Sequence, residues 1–102
     1  MKRKVPELFY RSSRICRVLG NPTAYEVLKI LDRGKRQPTE LGKIMGLSTP
    51  TISVCLRTLR NLDLIRYDNL RQGKYYYIKE MSILDILEKI ETLVNKIQKA
   101  NY

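Results

Sequence analysis

The chain has 102 residues, with 20 lysines and arginines against 10 acidic residues, two cysteines and no histidine, and its formal net charge is +10. This length suits one domain over residues 1–102 with a small core, and no apolar run is long enough to span a bilayer. The sequence has no nucleophile motif, glycine-rich phosphate loop or paired-carboxylate arrangement, so we expect a non-enzymatic protein with a polyanionic partner.

The positive charge is unevenly distributed. Residues 1–78 contain 16 lysines and arginines and 6 acidic residues, whereas residues 79–102 contain 4 of each. The first part should therefore attract double-stranded DNA with a strongly salt-dependent affinity. No apolar segment of the signal-peptide type follows the basic start, so we expect no membrane partner and a cytoplasmic location.

Two helices are predicted before the basic centre of the chain. The first runs from about residue 6 to 19, and the pair Asn21-Pro22 has the form of a cap and first turn that open the second. We expect Gly34 to close the second helix and the connector 35–38 to be able to form a short strand beside a later hairpin. The inward positions of the second helix are Ala24, Val27, Leu28 and Leu31.

Residues 39–62 have the pattern of two helices joined by a tight turn. Thr39 is expected to cap the first of them, and Gly46 to end it as a left-handed residue. Ser48 or Thr49 can then cap the second helix. The inward positions of that helix are Ile52, Leu56, Leu59 and Leu62.

The second of these helices, residues 49–62, has the composition of a DNA-recognition helix. Small residues at a helix start let the backbone approach phosphates and base edges, hydroxyl groups can bond to either, and arginine can bind guanine with two hydrogen bonds. A surface helix that is simply short of acidic residues would look similar. The candidate DNA-binding residues here are Ser48, Thr49, Pro50, Thr51, Ser53, Val54, Arg57 and Arg60.

The following segment predicts a β-hairpin, which would complete a winged helix-turn-helix. Residues 64–68 and 74–78 are rich in β-branched and aromatic side chains, and residues 69–73 contain the turn formers. A hairpin directly after a recognition helix is typical of a wing.

The wing, residues 66–75, carries three further candidate DNA-binding residues. We expect Arg66, Arg71 and Lys74 on or near its tip, where they can contact the DNA backbone or enter the minor groove. The tyrosines of residues 75–77 could instead form a stacking platform for single-stranded nucleic acid. Alternation along a strand favours packing of these rings in a half-buried sheet.

The last predicted helix lies within residues 81–102 and has apolar residues at alternating spacings of four and three. This spacing is typical of helix-to-helix packing, although a long amphipathic helix can also cover its own domain. Because the inner helices and the hairpin already form a closed unit, we expect a homodimer that uses this helix and the one within residues 1–20. Two recognition helices would then read an inverted repeat. The expected interface residues are Leu8, Phe9, Ile15, Ile83, Leu87, Ile90, Val94 and Ile97.

The two cysteines have two interpretations. Buried free cysteine behaves as a small hydrophobe, which is the favoured interpretation. A redox switch is the alternative, because Cys16 lies near arginines that favour a reactive thiolate and Cys55 lies on the recognition helix.

The order and spacing of residues 14–78 resemble those of the arsenic-repressor-type (ArsR) winged-helix transcription regulators. The resemblance implies a mainly α fold with a small β-hairpin, in the order four helices, two strands and a fifth helix. It also implies a dimer through the first and last helices and a repressor. The segments that carry the resemblance are Arg14–Thr23, Val27–Leu31, Glu40-Leu41, Gly46–Ser48, Pro50–Ser53, Leu56, Leu59, Leu64-Ile65, Gly73-Lys74 and Tyr77. The operator-facing positions that it implies are Thr49, Pro50, Ser53, Val54 and Arg57.

The sequence departs from the family pattern at the positions that sense metals. Many members use cysteine pairs in the third helix or His, Asp and Glu on the last, whereas residues 40–44 contain no cysteine and the chain has no histidine. We therefore expect no metal site and no cofactor. Two further departures are Ala24, where the family often has arginine, and Val54-Cys55, which replaces a common histidine-containing pair.

These observations predict a dimeric, sequence-specific transcription regulator. One alternative is an architectural, chromatin-type protein with little sequence specificity, and another is a single-strand-binding protein. The hydroxyl-bearing start of the recognition helix favours the sequence-specific regulator, because an architectural protein would carry more lysine there and an apolar wedge. The sequence names neither an operator nor a small-molecule effector.

Overall fold

The computed structural model describes the backbone of residues 3–101 and the side chains of residues 3–98. Its elements in chain order are α1 (Glu7–Leu19), α2 (Pro22–Leu31), α3 (Pro38–Met45), α4 (Thr49–Asn61), β1 (Ile65–Leu70), β2 (Gly73–Ile78) and α5 (Ser82–Asn101). The strands form one antiparallel hairpin. The expected mainly helical winged helix-turn-helix order is thus confirmed. No helix among residues 3–101 is both long and apolar enough to cross a bilayer.

One hydrophobic core lies where α2, α3, α4 and the hairpin meet. All four predicted inward residues of α2 are buried, and so are Ile52, Leu56 and Leu59 of α4, whereas Leu62 is half-buried at the helix end. Complete burial of a valine, leucine or isoleucine side chain contributes about 1.5–3 kcal/mol, so these faces hold α4 against the rest of the domain.

Two helix starts and one helix end agree with the prediction. The Asn21 side chain caps α2 by accepting a hydrogen bond from the Ala24 backbone N at 3.1 Å. Ser48 caps α4, and Gly46 ends α3 with a φ of 68°. These three residues therefore set the lengths of the inner helices.

Two other boundaries differ from the prediction. Thr39 is not the cap of α3, because the helix already begins at Pro38 and the Glu40 carboxylate accepts from the backbone N of Gln37 at 3.0 Å. Gly34 does not close α2, which ends at Leu31, although the φ of Gly34 is 144° and shapes the connector that follows. Proline at a first helical position explains the earlier start of α3.

The hairpin is longer and its turn tighter than predicted. The register runs from the Ile65–Ile78 pair to the Leu70–Gly73 pair, so only residues 71–72 form the turn, not residues 69–73. Gly73 has a φ of 125°, which lets the chain reverse within two residues. The connector adds one bridge to this sheet, because the backbones of Arg36 and Tyr76 exchange hydrogen bonds of 3.1 and 2.8 Å.

The terminal helices differ from each other in their packing. α1 has no fully buried residue. The first half of α5 closes the core, because Ile83 and Leu87 are 2% and 1% exposed within the single chain. The prediction that these two residues face a partner is wrong, because they have no surface left to offer. The remaining large apolar side chains of α5 with substantial exposure are Ile86, Leu93, Val94 and Ile97.

Candidate nucleic-acid interface

The turn between α3 and α4 packs directly against the middle of α3. The Leu47 backbone N donates to the Gly42 carbonyl at 2.9 Å, and a Cβ added to Gly42 would lie 2.8 Å from the Leu47 carbonyl oxygen. No side chain fits there without moving the turn, so Gly42 sets where α4 begins. Sequence reasoning missed this residue, although a glycine within a predicted helix is costly unless packing requires it.

The exposed face of α4 presents most of the predicted base-reading residues. Thr49, Pro50, Thr51, Val54 and Arg57 are exposed, whereas Ser53 and Arg60 are half-buried. Val54 is 59% exposed, so its methyl groups are free to contact a thymine methyl group.

Ser48 has a different role from the rest of this set. Its hydroxyl lies 3.4 Å from the Thr51 backbone N, from which it accepts, and 2.9 Å from the Thr51 hydroxyl. These two contacts use much of the hydrogen-bonding capacity of the hydroxyl, so the main role of Ser48 is to cap α4.

The structure separates the three predicted cations of the wing. Arg71 lies in the exposed turn, and Lys74 is exposed two residues beyond the turn. Arg66 does not lie near the tip, because β1 extends to Leu70 and pairs Arg66 with Tyr77 close to the base of the hairpin. Arg66 also forms an ion pair of 2.7 Å with Asp63. Its expected position is therefore wrong.

Side chains from the connector before α3 hold the wing in place. The Gln37 amide donates to the Gln72 carbonyl in the wing turn at 2.7 Å. Lys35 is ion-paired with Asp68 and lies 5.0 Å from the centre of the Tyr77 ring. The hydrogen bond to Asp68 raises the pKa of Lys35. Sequence reasoning missed both Lys35 and Gln37, although their place in a connector expected to pair with the hairpin was a signal.

The tyrosines of the second strand alternate in burial, as the core interpretation predicted. Tyr76 is buried and its ring lies 5.2 Å from that of Tyr67, whereas Tyr75 and Tyr77 are half-buried. The three rings therefore do not form one exposed stacking platform.

The two cysteines lie in different surroundings. Cys16 is exposed on α1, so the favoured expectation of a buried cysteine is wrong at this position, whereas Cys55 is half-buried on α4. Burial raises the pKa of the Cys55 thiol, which disfavours the reactive thiolate. Cys55 thus has the environment of a small hydrophobe.

Four comparisons bear on this arrangement. The family model of bacterial regulatory proteins of the arsR family matches residues 21–67. Rv0081 from M. tuberculosis has a similar structure, with a TM-score of 0.85 and 18% identity over 96% of this chain and 98% of that one. The homodimeric winged helix-turn-helix DNA-binding domain of Mb0332 from Mycobacterium bovis, a possible ArsR-family transcriptional regulator, has a TM-score of 0.80 and 18% identity over 94% and 92%. The transcriptional repressor BigR from Xylella fastidiosa has a TM-score of 0.76 and 18% identity over 85% and 89%.

No curated protein is a significant match in sequence. At these identities the structural likenesses show the winged helix-turn-helix fold, and the family model carries the relationship of residues 21–67. The matched family and the fold are those of DNA-binding transcription regulators and not of enzymes.

Proposed function

We propose, from the premise that residues 21–67 are an ArsR-type helix-turn-helix with the start of its wing, that this protein is a dimeric repressor. It would bind double-stranded DNA in a sequence-specific manner and act in the cytoplasm. The observation that carries the proposal is the exposed face of α4, which combines threonines, Val54 and Arg57 and contains no acidic residue. Such a face suits base edges better than phosphates alone.

The other DNA contacts follow from the positions of the cations. We assign Arg57 to a base edge in the major groove and Arg71 and Lys74 to the phosphates beside it. Arg66 receives no DNA contact in this proposal, because it lies at the base of the wing, where its guanidinium is ion-paired with Asp63. Repression itself is supported by the structural likeness to a protein described as a transcriptional repressor.

Exposed apolar residues support a dimer through α1 and the second half of α5. Phe9 is 63% exposed and Val94 is 43% exposed, and Leu8 and Ile97 are similarly open. Ile15 and Ile90 are half-buried and would border the interface. The likeness to a homodimeric domain supports the same assembly, in which twofold symmetry would direct two copies of α4 to an inverted repeat.

We also propose that DNA binding does not depend on a transition metal. Soft ions need thiolate or imidazole ligands, and the chain has two cysteines, on α1 and α4, and no histidine. Within the part of the chain that the structure describes, no three cysteine or acidic side chains lie close enough together to hold an ion. Addition of zinc, cadmium or arsenite at one equivalent should therefore leave a protein–operator complex intact.

The test of the function is the ratio of two affinities at fixed salt. We expect the protein to bind DNA from upstream of its own gene at least about 1,000-fold more tightly than random duplex, which is the usual lower range for specific binding. Equal affinity for both duplexes would favour the architectural alternative, and no binding to either would refute both. Lys89→Ala removes one positive charge from an exposed part of α5, outside the candidate nucleic-acid interface, and should leave the ratio of the two affinities unchanged.

A further inference from the structure

Tyr67 lies at the junction between the recognition helix and the wing. In the hairpin register it stands opposite Tyr76, on the same face as the buried pair Ile65 and Ile78. The Tyr67 and Tyr76 rings are 5.2 Å apart and tilted by 46°, a normal geometry for two packed aromatic rings. Tyr67 is therefore held by a ring that belongs to the core, while it remains half-buried itself.

Two cations from different elements meet at the Tyr67 ring. The guanidinium carbon of Arg60, in the last turn of α4, lies 5.5 Å from the ring centre. The ammonium nitrogen of Lys74, in β2, lies 4.7 Å from the same centre. Both distances are within the range in which a cation is attracted to an aromatic ring. The ring thus links the helix to the wing through its two neighbours.

Neither cation is neutralised by an acidic partner among residues 3–98. The three ion pairs found in that part of the chain are Lys29–Glu91, Lys35–Asp68 and Arg66–Asp63. Two positive charges held at one ring repel each other, and an anion bound next to both would offset that repulsion. The junction therefore favours a negative group, which residues 3–98 do not themselves supply.

The position of the junction indicates which negative group this is. A helix in the major groove and a wing at the adjacent minor groove lie on either side of one sugar-phosphate strand, so that strand must pass over the junction. We infer that Tyr67 positions Arg60 and Lys74 as a clamp for the phosphates of this strand, an inference that rests on the proposed DNA binding. Tyr67 itself makes no contact with DNA in this arrangement.

The test compares three variants by their salt dependence on fluorescently labelled random duplex. The Arg60→Ala and Lys74→Ala double variant should flatten the plot of log affinity against log salt by about 0.9 for each lost phosphate contact. Tyr67→Leu, which removes the ring, should lower affinity and flatten the same plot by a smaller amount. Tyr67→Phe keeps the ring and should behave as the unaltered protein within about twofold.

A double-mutant cycle separates positioning from a general loss of structure. Tyr67→Leu should weaken binding in the unaltered protein and have no further effect once Arg60 and Lys74 are alanine. An equal loss in both backgrounds, or an unchanged salt slope, would overturn the clamp. If the unaltered protein binds no duplex, the proposed function fails instead, so the two failures are distinguishable. Thermal unfolding of Tyr67→Leu and Tyr67→Phe checks that both variants fold.

Discussion

Two regions of the molecule differ in how far contacts within one chain hold them together. One is the junction of α4 with the hairpin, and the other is the surface formed by α1 and the second half of α5. At the junction, each described element is held by contacts from the same chain: Gln37 holds the wing turn, and Tyr67 lies between Arg60 and Lys74. Along α1 and the end of α5, large apolar side chains remain exposed. The proposed DNA-binding part is therefore held together within one chain, whereas the apolar faces of the terminal helices stay open to solvent, as the proposed dimer requires.

The largest expected effect comes from charge placed on the exposed apolar surface of α5. Val94→Glu should abolish the dimer, because a carboxylate in an apolar interface must be desolvated at a cost of several kcal/mol. Binding to an inverted repeat should then fall by more than tenfold. Light scattering and gel shift measure the two outcomes. Thr92→Glu, at an exposed position of the same helix, is the control, and a Val94→Glu variant that keeps its dimeric mass would contradict the assigned surface.

A second variant tests whether the start of α4 is held by close backbone packing. Gly42→Ala should lower the free energy of unfolding by about 1–3 kcal/mol, because its Cβ would lie 2.8 Å from the Leu47 carbonyl oxygen and must displace the turn. DNA affinity should fall as well, since the turn sets the start of α4. Denaturant unfolding and duplex binding are measured on the same samples. Lys43→Ala, at the exposed neighbouring position, should change neither, and a stable Gly42→Ala variant would show that the turn can move freely.

The sequence predicted the parts of this fold that depend on local chemistry. Asn21, Ser48 and Gly46 mark helix boundaries correctly because their capping and left-handed preferences act over a few residues. The inward faces of α2 and α4 were also correct, since a helical repeat determines them. These elements were therefore predictable without knowledge of the tertiary structure.

The errors arose where distant segments decide the outcome. The division of α5 into a buried first half and an exposed second half depends on where the core ends, so its regular repeat did not reveal that Ile83 and Leu87 are buried. The position of Arg66 depends on where the hairpin turns, and the two-residue turn leaves Arg66 farther from the tip than turn formers at residues 69–73 implied. The contact of Gln37 with the wing turn spans 35 residues, and the expected pairing of its connector with the hairpin was the one signal that pointed towards it.

The third variant sharpens the distinction between base reading and backbone binding. Arg57→Ala should weaken operator binding by about 1–3 kcal/mol while random-duplex affinity changes much less, as expected for an arginine that binds a base edge. Arg71→Ala, in the wing turn, should instead weaken both duplexes to the same extent. Fluorescence anisotropy with the two duplexes at one salt concentration measures both. Equal losses for Arg57→Ala on the two duplexes would make Arg57 a phosphate contact.

A fourth variant removes the support of the wing without changing charge. Gln37→Leu deletes the amide that donates to the Gln72 carbonyl, a hydrogen bond worth about 0.5–1.5 kcal/mol, while keeping a side chain of similar size. We expect a more mobile wing turn, faster amide hydrogen exchange at residues 71–73 and weaker binding to all duplexes. Gln98→Leu, an exposed change on α5, is the matched control. Unchanged exchange in the wing would show that the strands alone fix the turn.

The smallest expected effect is a pH dependence of the folding stability, which arises from contacts at the point where α5 leaves the core. The Tyr25 hydroxyl donates to the Glu91 carboxylate at 2.6 Å, and Lys29 donates to its other oxygen at 3.0 Å. The hydrogen bond from Tyr25, followed by that from Lys29, lowers the pKa of Glu91. Burial, followed by the hydrogen bond to Glu91, raises the pKa of Tyr25 to about 12.

The two shifts act at opposite ends of the pH scale. A lowered carboxyl pKa stabilises the folded state at pH values above about 4.3, the ordinary pKa of glutamate. This contribution is lost as the pH falls through the lower pKa that Glu91 has in the folded state. A raised tyrosine pKa stabilises the folded state fully at pH values below about 10, the ordinary pKa of tyrosine. This contribution is lost as the pH rises through the higher pKa that Tyr25 has in the folded state. The measurement is the thermal unfolding temperature as a function of pH. Glu91→Gln should make the acid side of this curve, its acid limb, flatter, and Tyr25→Phe should make the alkaline side flatter. Glu88→Gln, an exposed neighbour on α5, should leave both limbs unchanged, and a Glu91→Gln variant with an unaltered acid limb would show that other carboxylates govern it.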